Sequence, residues 1–253
     1  MLSGPLGPGI PHKTILTMKF PMRRSALPVG GPEVVEALDQ YYGTPGLLPV
    51  LGELAISDQT QFKERYRRYM ALEAEATSLW HFAVSVLPGL LQTSGYAREL
   101  LVAGGIKEPE LTQQVEARMG RRELLAGDTA PDFRTILSES VLRTPMRDAE
   151  EWHLQLKHLA EMSDRSNVAV QVLPQSAGLH GLMGADVWYL LLPQGQTVAY
   201  TENGYRGELI EESGPVVRLQ KTYDAVRDLA LSPTESRKFI LRMLEEATCD
   251  PST

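Results

Sequence analysis

The chain has 253 residues, 43% hydrophobic and 23% charged, with 32 acidic against 25 basic side chains and a net charge of −7. That composition suits a folded globular protein, and its acidity argues against broad affinity for nucleic acid or anionic membranes. A single cysteine, Cys249, excludes an internal disulfide, and no apolar run nears the roughly 18 residues of a membrane span or marks a leader, so a cytoplasmic protein is expected.

Residues 1–32 hold Lys13, Lys19, Arg23 and Arg24, no acid, six prolines and five glycines. So much Pro and Gly leaves little room for a helix, and residues 1–30 read as a basic arm, either a loose tail or a segment that reaches a partner. The rest of the chain then carries 21 bases against 32 acids. Pro32–Tyr42 reads as a short helix, with proline in the first turn, Val34, Val35, Leu38 and Tyr41 at helical spacing, and Gly43 as a stop. Leu47–Leu54 reads as a second short helix. Ser57–Ala76 reads as a longer one, with Phe62, Tyr66, Tyr69 and Met70 on one side and Lys63, Arg65, Arg67 and Arg68 on the other. Aromatic and β-branched residues make Leu79–Val86 a strand, closed by Pro88-Gly89.

Helices Thr93–Ala103 and Pro109–Ala126 follow, then a strand over Phe133–Ser138 and an amphipathic helix over Asp148–Met162. Val168–Leu173 alternates as a strand, and Val187–Leu192 with Thr197–Thr201 forms an antiparallel hairpin around Gln194-Gly195-Gln196. Helices Pro215–Leu229 and Pro233–Ala247 close the chain, the last with Ser232 as N-cap and Glu235 in the capping-box place. Helices first, then strands and helices intermixed, predict an α+β fold: a helical N-terminal segment, then a mainly antiparallel sheet with flanking helices.

No short motif that carries a mechanism is present: no P-loop, no dinucleotide glycine fingerprint, no HExxH and no GxSxG. His153 and His158 stand five apart on one helix, whereas paired ligands need a spacing of three or four, so no metal and no cofactor is expected. The candidates are instead residues able to line a cavity. Gly178–Gly184 carries three glycines between two strands, so it lacks the helix N-terminus that cradles phosphate. It reads as a plain loop or as a flap bearing His180, a general acid or base if a carboxylate orients it. Tyr200 and Glu202, two apart on a strand, share a face; with Trp188 on the neighbouring strand they line a cavity or an exposed polar face. Arg118 and Arg122, at i and i+4 of one helix, suit an ion pair with Glu139 or an anion clamp. Gln92 and Tyr96 follow the Pro88-Gly89 turn and serve either as caps or as ligand contacts.

Several runs occur in a recognisable order: Tyr69–Ala76, Leu87–Thr93 with Tyr96-Ala97, Arg118–Arg122, Leu137–Arg143, Gln155–Leu159, Val170–Pro174, Ala199–Glu202 and Ala230–Ser236. Over about residues 60–247 they resemble the C-terminal domain, designated DUF5753, of actinobacterial helix-turn-helix regulators of the XRE (Cro/C1-type) class. In such regulators a five-helix DNA-binding domain precedes this region, and here Gly31–Thr44 resembles its last helix. The residues upstream are too few, and too rich in Pro and Gly, for a recognition helix and the helix behind it.

The resemblance therefore implies an arm at 1–30, a remnant of the helix-turn-helix domain at 31–56, an effector domain at 57–247 and a tail at 248–253. It also implies a regulator-like module that senses a small molecule or dimerises, with a homodimer expected and direct DNA binding not expected. The alternative is an enzyme recruited from this scaffold in specialised metabolism, such as a cyclase acting on a polyketide or peptide intermediate in an apolar pocket. Shape and a few hydrogen bonds suffice for such a reaction, so it leaves no motif.

Overall fold

The computed structural model describes residues 31–44, 46–202 and 207–249, with the backbone alone for 52–64 and 248–249. The expected arm at 1–30 and residues 250–253 of the expected tail lie outside the described residues. Helix α1 spans Pro32–Tyr42 and ends at Gly43, whose left-handed backbone (φ 63°) lets its N–H reach back to the last carbonyls. The buried Asp39 ties the next turn: its carboxylate accepts from the Thr44 hydroxyl (2.9 Å) and from the N–H groups of Gly46 (2.7 Å) and Leu48 (2.9 Å).

Helix α2 runs unbroken over Leu47–Glu75, where two helices were expected. Pro49 falls in its first turn, where no N–H partner is needed, and Gly52 costs only about 1 kcal/mol in a helix interior. The start expected at Ser57 is therefore mid-helix, and the division expected after residue 56 falls inside one continuous element.

Strand β1 (Ser78–Ala83) is followed by α3 (Ser94–Ala103), capped by the Thr93 hydroxyl, and α4 (Glu110–Arg121), extended by a 3-10 turn over Arg122–Leu125. Then come β2 (Asp132–Ser138), the short α5 (Glu139–Arg143) and α6 (Ala149–Met162), whose N-cap Asp148 accepts from the N–H groups of Glu150 and Glu151. Strands β3 (Val168–Leu173), β4 (Asp186–Leu191), β5 (Thr197–Glu202) and β6 (Gly207–Ile210) precede α7 (Ser213–Leu229) and α8 (Pro233–Cys249). The capping box of α8 is formed: Ser232 N–H and hydroxyl donate to Glu235 Oε2, and Glu235 N–H donates back to the Ser232 hydroxyl.

The strands form one sheet in the order β3-β2-β1-β4-β5-β6. Pairings β1–β2 and β2–β3 are parallel; β1–β4, β4–β5 and β5–β6 are antiparallel. Three of the five pairings are antiparallel, as the expected α+β fold has it, and two are parallel, so the sheet is a mixed one. The parallel half arises because helices intervene between β1, β2 and β3, and a strand reached through a helical crossover returns in the same direction.

One face, with Leu79, Phe133, Leu190 and Val198, packs beneath α2, α3, α6 and α8 through Tyr69, Tyr96, Leu156 and Ile240. The other, with Phe82, Ile136, Val187 and Tyr189, is covered by Val216, Tyr223 and Val226 of α7. Two buried polar side chains fasten the first layer. Gln155 of α6 accepts from Thr93 N–H (2.7 Å) and donates to the Leu91 carbonyl (2.8 Å), while Ser236 of α8 accepts from Val172 N–H (2.9 Å). Among the described residues, no helix is long and apolar enough to cross a membrane.

Candidate functional site

On the face covered by α2 and α4, the sheet is not filled to its end. A cleft of about 870 Å³ opens there, walled by Tyr66, Tyr69 and Met70 of α2, by Gln114, Arg118 and Arg121 of α4, and by the 84–89 and 183–186 segments. His81 and Trp188 come from paired positions on β1 and β4, with Glu202 further out on β5. Alternation along the strands explains the set: Asp186, Trp188, Tyr200 and Glu202 point to the same side because register pairs Trp188 with Tyr200 and Asp186 with Glu202.

The inner end is tightly bonded. Arg121 donates through Nε and Nη2 to the two oxygens of Glu73, each at 2.6 Å, and Nη2 also reaches the Tyr69 hydroxyl at 3.2 Å. The Tyr69 hydroxyl donates to Glu73 Oε1 at 2.6 Å, and its ring stacks on Tyr200 at 4.3 Å. The Glu73 side chain is 2% exposed, so the pair is a desolvated, bidentate ion pair whose neutrality depends on both members. Burial opposes the charge of Arg121, but the hydrogen bonds and charge of Glu73 outweigh it and raise the guanidinium pKa. Burial, and then Glu73, pushes the Tyr69 phenol well up.

His81 shares a 3.0 Å hydrogen bond with the Thr135 hydroxyl and lies against Trp188, ring centroids 4.0 Å apart. Burial, aided by the charge of Arg121, lowers its pKa to about 3, so at neutral pH it is an uncharged wall residue.

The outer end is bonded differently. Arg118 donates to Gln92 Oε1 at 2.9 Å, and Gln92, itself buried, donates to the Leu87 carbonyl at 2.6 Å. This guanidinium has a neutral partner, and burial lowers its pKa. Across from it, Asp186 accepts the Val84 N–H at 2.7 Å, and burial, against that bond, raises its carboxyl pKa. Glu202 reaches solvent at the mouth, yet the cleft walls strip enough hydration to raise its pKa, with the charge of Asp186 next in effect. Among the described residues no group of three or more His, Cys, Asp or Glu side chains is placed to hold a metal ion.

Of the residues singled out from sequence, the structure brings Gln92, Arg118, Trp188 and Glu202 together on the cleft wall. Tyr96 lies behind it, its hydroxyl accepting the Leu87 N–H at 3.2 Å, and Tyr200 lies beneath Tyr69. The other three stand apart. Arg122 donates to His158 Nε2 at 3.0 Å rather than joining Arg118 in a clamp, because the chain tightens into a 3-10 turn at that residue. Glu139 pairs with Arg143, one turn on in α5, and accepts the Gln175 N–H, so it meets neither Arg118 nor Arg122. The ring of His180 meets Phe82 on the opposite face of the sheet, its Nδ1 accepts the Leu182 N–H, and no carboxylate orients it among the described residues. The loop it belongs to reaches the cleft through Met183 and Gly184 instead.

Sequence reasoning missed Glu73, Arg121, His81 and Asp186. Two signals were available: a histidine inside the otherwise apolar run Leu79–Ala83, and Tyr69 with Glu73 at i and i+4 on one helix.

A six-stranded mixed sheet layered by helices on both faces, open at one end into a charged cleft, defines the molecule as a mixed α/β domain. The model of the family described as domain of unknown function DUF5753 matches residues 66–242, and the chain belongs to that family. The match starts at Tyr66, so every residue of the cleft wall lies inside it. No curated protein and no solved structure is significantly similar to the chain.

Proposed function

We propose that the chain is the small-molecule-sensing effector module of a regulator of the helix-turn-helix, XRE (Cro/C1-type) kind, with the cleft as its ligand site. The observation that supports this is the outer end of the cleft. About 870 Å³ of space, within the roughly 300–1,000 Å³ of organic-ligand sites, is walled by aromatic side chains and by polar groups whose bonding is unfinished. Helix α2 carries cleft residues Tyr66, Tyr69 and Met70 near one end and meets α1 at the other, so an occupant touching its wall acts on a helix that leads out of the site. Val34, Leu38, Tyr41 and Tyr42 of α1 and Val50 of α2 are exposed apolar side chains, which supports a homodimer built on this helical pair. On this reading the module works in the cytoplasm and is not itself a DNA reader.

Mass spectrometry of small molecules released on denaturing the purified chain tests the reading. A retained compound, lost in Arg118→Gln, is expected; an empty protein whose melting temperature rises with no compound of a broad library overturns it. A gel shift with the upstream DNA at low salt is expected to show no complex, and light scattering to show a dimer.

One observation favours a second reading. Asp186 and Glu202, side by side and shifted toward protonation, suit general acid catalysis, so a cyclase that folds a polyketide or peptide intermediate in the cleft fits the same walls. Conversion of the released compound on incubation with fresh protein selects that reading.

A further inference from the structure

Resting on the cleft being a ligand site, we infer that its occupant is a monocationic organic amine, with the protonated nitrogen between Asp186 and Glu202, an acceptor oxygen toward Arg118 and an apolar or aromatic body against Trp188 and Tyr66.

The two carboxyls are register partners on β4 and β5, and side chains directly opposite in an antiparallel pair stand about 4.5–5.5 Å apart at Cβ. Both line the cleft. Asp186 spends Oδ1 on the Val84 N–H, which leaves its second oxygen without a protein donor among the described residues; Glu202 accepts no hydrogen bond from them. Two other buried carboxylates, Glu73 and Glu139, are each answered by an arginine, Arg121 and Arg143. Here none does so among the described residues. Glu73 already neutralises Arg121, and Arg118 is turned to an uncharged amide. Two carboxylates therefore face one guanidinium, and the excess is a single negative charge that one ligand cation matches.

An ammonium group has three donors, enough to bridge two carboxylates and keep one for water. The aromatic walls add attraction for the same charge. A divalent metal ion is a poorer match, since it wants six or more oxygen ligands and two side chains supply few of them.

Calorimetric titration of the full chain with naphthylethylamine, naphthylethanol and naphthylacetate tests the inference, because the three share a ring and differ in the head group. The amine is expected to bind at least about tenfold more tightly than the alcohol or the acid, a difference one charge-assisted hydrogen bond supplies. Asp186→Asn keeps an oxygen for the Val84 N–H and Glu202→Gln keeps the shape. Each is expected to cut amine affinity roughly three- to tenfold while leaving alcohol affinity and circular dichroism unchanged. Alcohol or acid binding as well as the amine, or amine binding that ignores both substitutions, overturns the cationic assignment and leaves the ligand site standing. Absence of binding by all three, together with no retained compound, removes both.

Discussion

Arg118 and Arg121 stand one turn apart on α4 and both face the cleft, yet they occupy opposite bonding states. Arg121 is clamped through Nε and Nη2 by both oxygens of a buried carboxylate and by a buried phenol, bonds that a ligand could replace only at a large cost. Arg118, three residues before Arg121, rests on one neutral amide oxygen and lines the same cleft as two carboxyls. The contrast separates the part of the cleft that holds the fold from the part left available. A cleft whose every charge were internally matched would be a packing feature; one end of this cleft is matched and the other is not.

The sharpest way to break that contrast is to remove charge from each end. Glu73→Gln leaves Arg121 desolvated without its counter-charge, and breaking a buried pair costs about 3–5 kcal/mol. For a chain of this length that lowers the melting temperature on the order of 10 °C. Arg118→Gln exchanges the donor of a part-buried hydrogen bond to the Gln92 amide, with no buried counter-charge left behind, and is expected to cost about 1 kcal/mol. Thermal unfolding of both variants checks this, and equal losses would erase the distinction between the two ends.

A second probe addresses what supports the locked end. A Cβ at Gly207 would overlap the Tyr200 hydroxyl, and Tyr200 is the ring on which Tyr69 stacks. Gly207→Ala is therefore expected to cost about 1–3 kcal/mol by overpacking. The Tyr200 hydroxyl is buried with no partner among the described residues, so Tyr200→Phe removes the nearest clashing atom without forfeiting a bond, but the ring carbon Cζ still stands 2.6 Å from the added Cβ, so only part of the loss should be restored. A double variant no more stable than Gly207→Ala alone would show that the ring position, not the hydroxyl, sets the fit.

The same division shows why part of the site was legible in the sequence. Period-two alternation places Trp188, Tyr200 and Glu202 on one face wherever those strands lie, and local caps such as Asp148 and Ser232 mark helix starts without tertiary help. The parallel direction of β1, β2 and β3 is decided by how crossover helices pack, which no local pattern states. The short α5 and β6 carry too few residues to display a period, and both were missed. The ion pair was hidden because its members lie 48 positions apart, and each alone reads as an ordinary charge on a solvated helix face. Arg122 and Glu139 were misplaced by the converse error, since spacing along a helix indicates which side chains share a face but not what that face meets.

His81 gives a pH-dependent probe of the inner wall. Its folded pKa, about 3, lies below the ordinary value of 6.5 for the unfolded chain, so the unfolded state binds the extra proton between them. Its contribution to stability is complete above about pH 6.5 and is lost as pH falls toward 3. Between pH 7.5 and 5.5 the loss is about 1 kcal/mol, and His81→Gln should flatten it in denaturant titrations at the two pH values. An equally steep dependence in the variant would place the acid sensitivity on other groups.

The smallest expected effect has the opposite sign and is the most telling for the outer end. Glu202 has a raised folded pKa, so any stability linked to its proton is present below the ordinary carboxyl range and is lost as pH rises through the folded value. At neutral pH its ionised form is a net cost, limited by solvent at the cleft mouth to less than about 1 kcal/mol. Glu202→Gln should therefore raise the melting temperature slightly at pH 7.5 and lose that advantage near pH 4, read by scanning calorimetry at both. The same Glu-to-Gln exchange that destabilises the inner end would then strengthen the outer one. A carboxylate kept where its own fold resists it is the expected signature of a group retained for something that enters from outside.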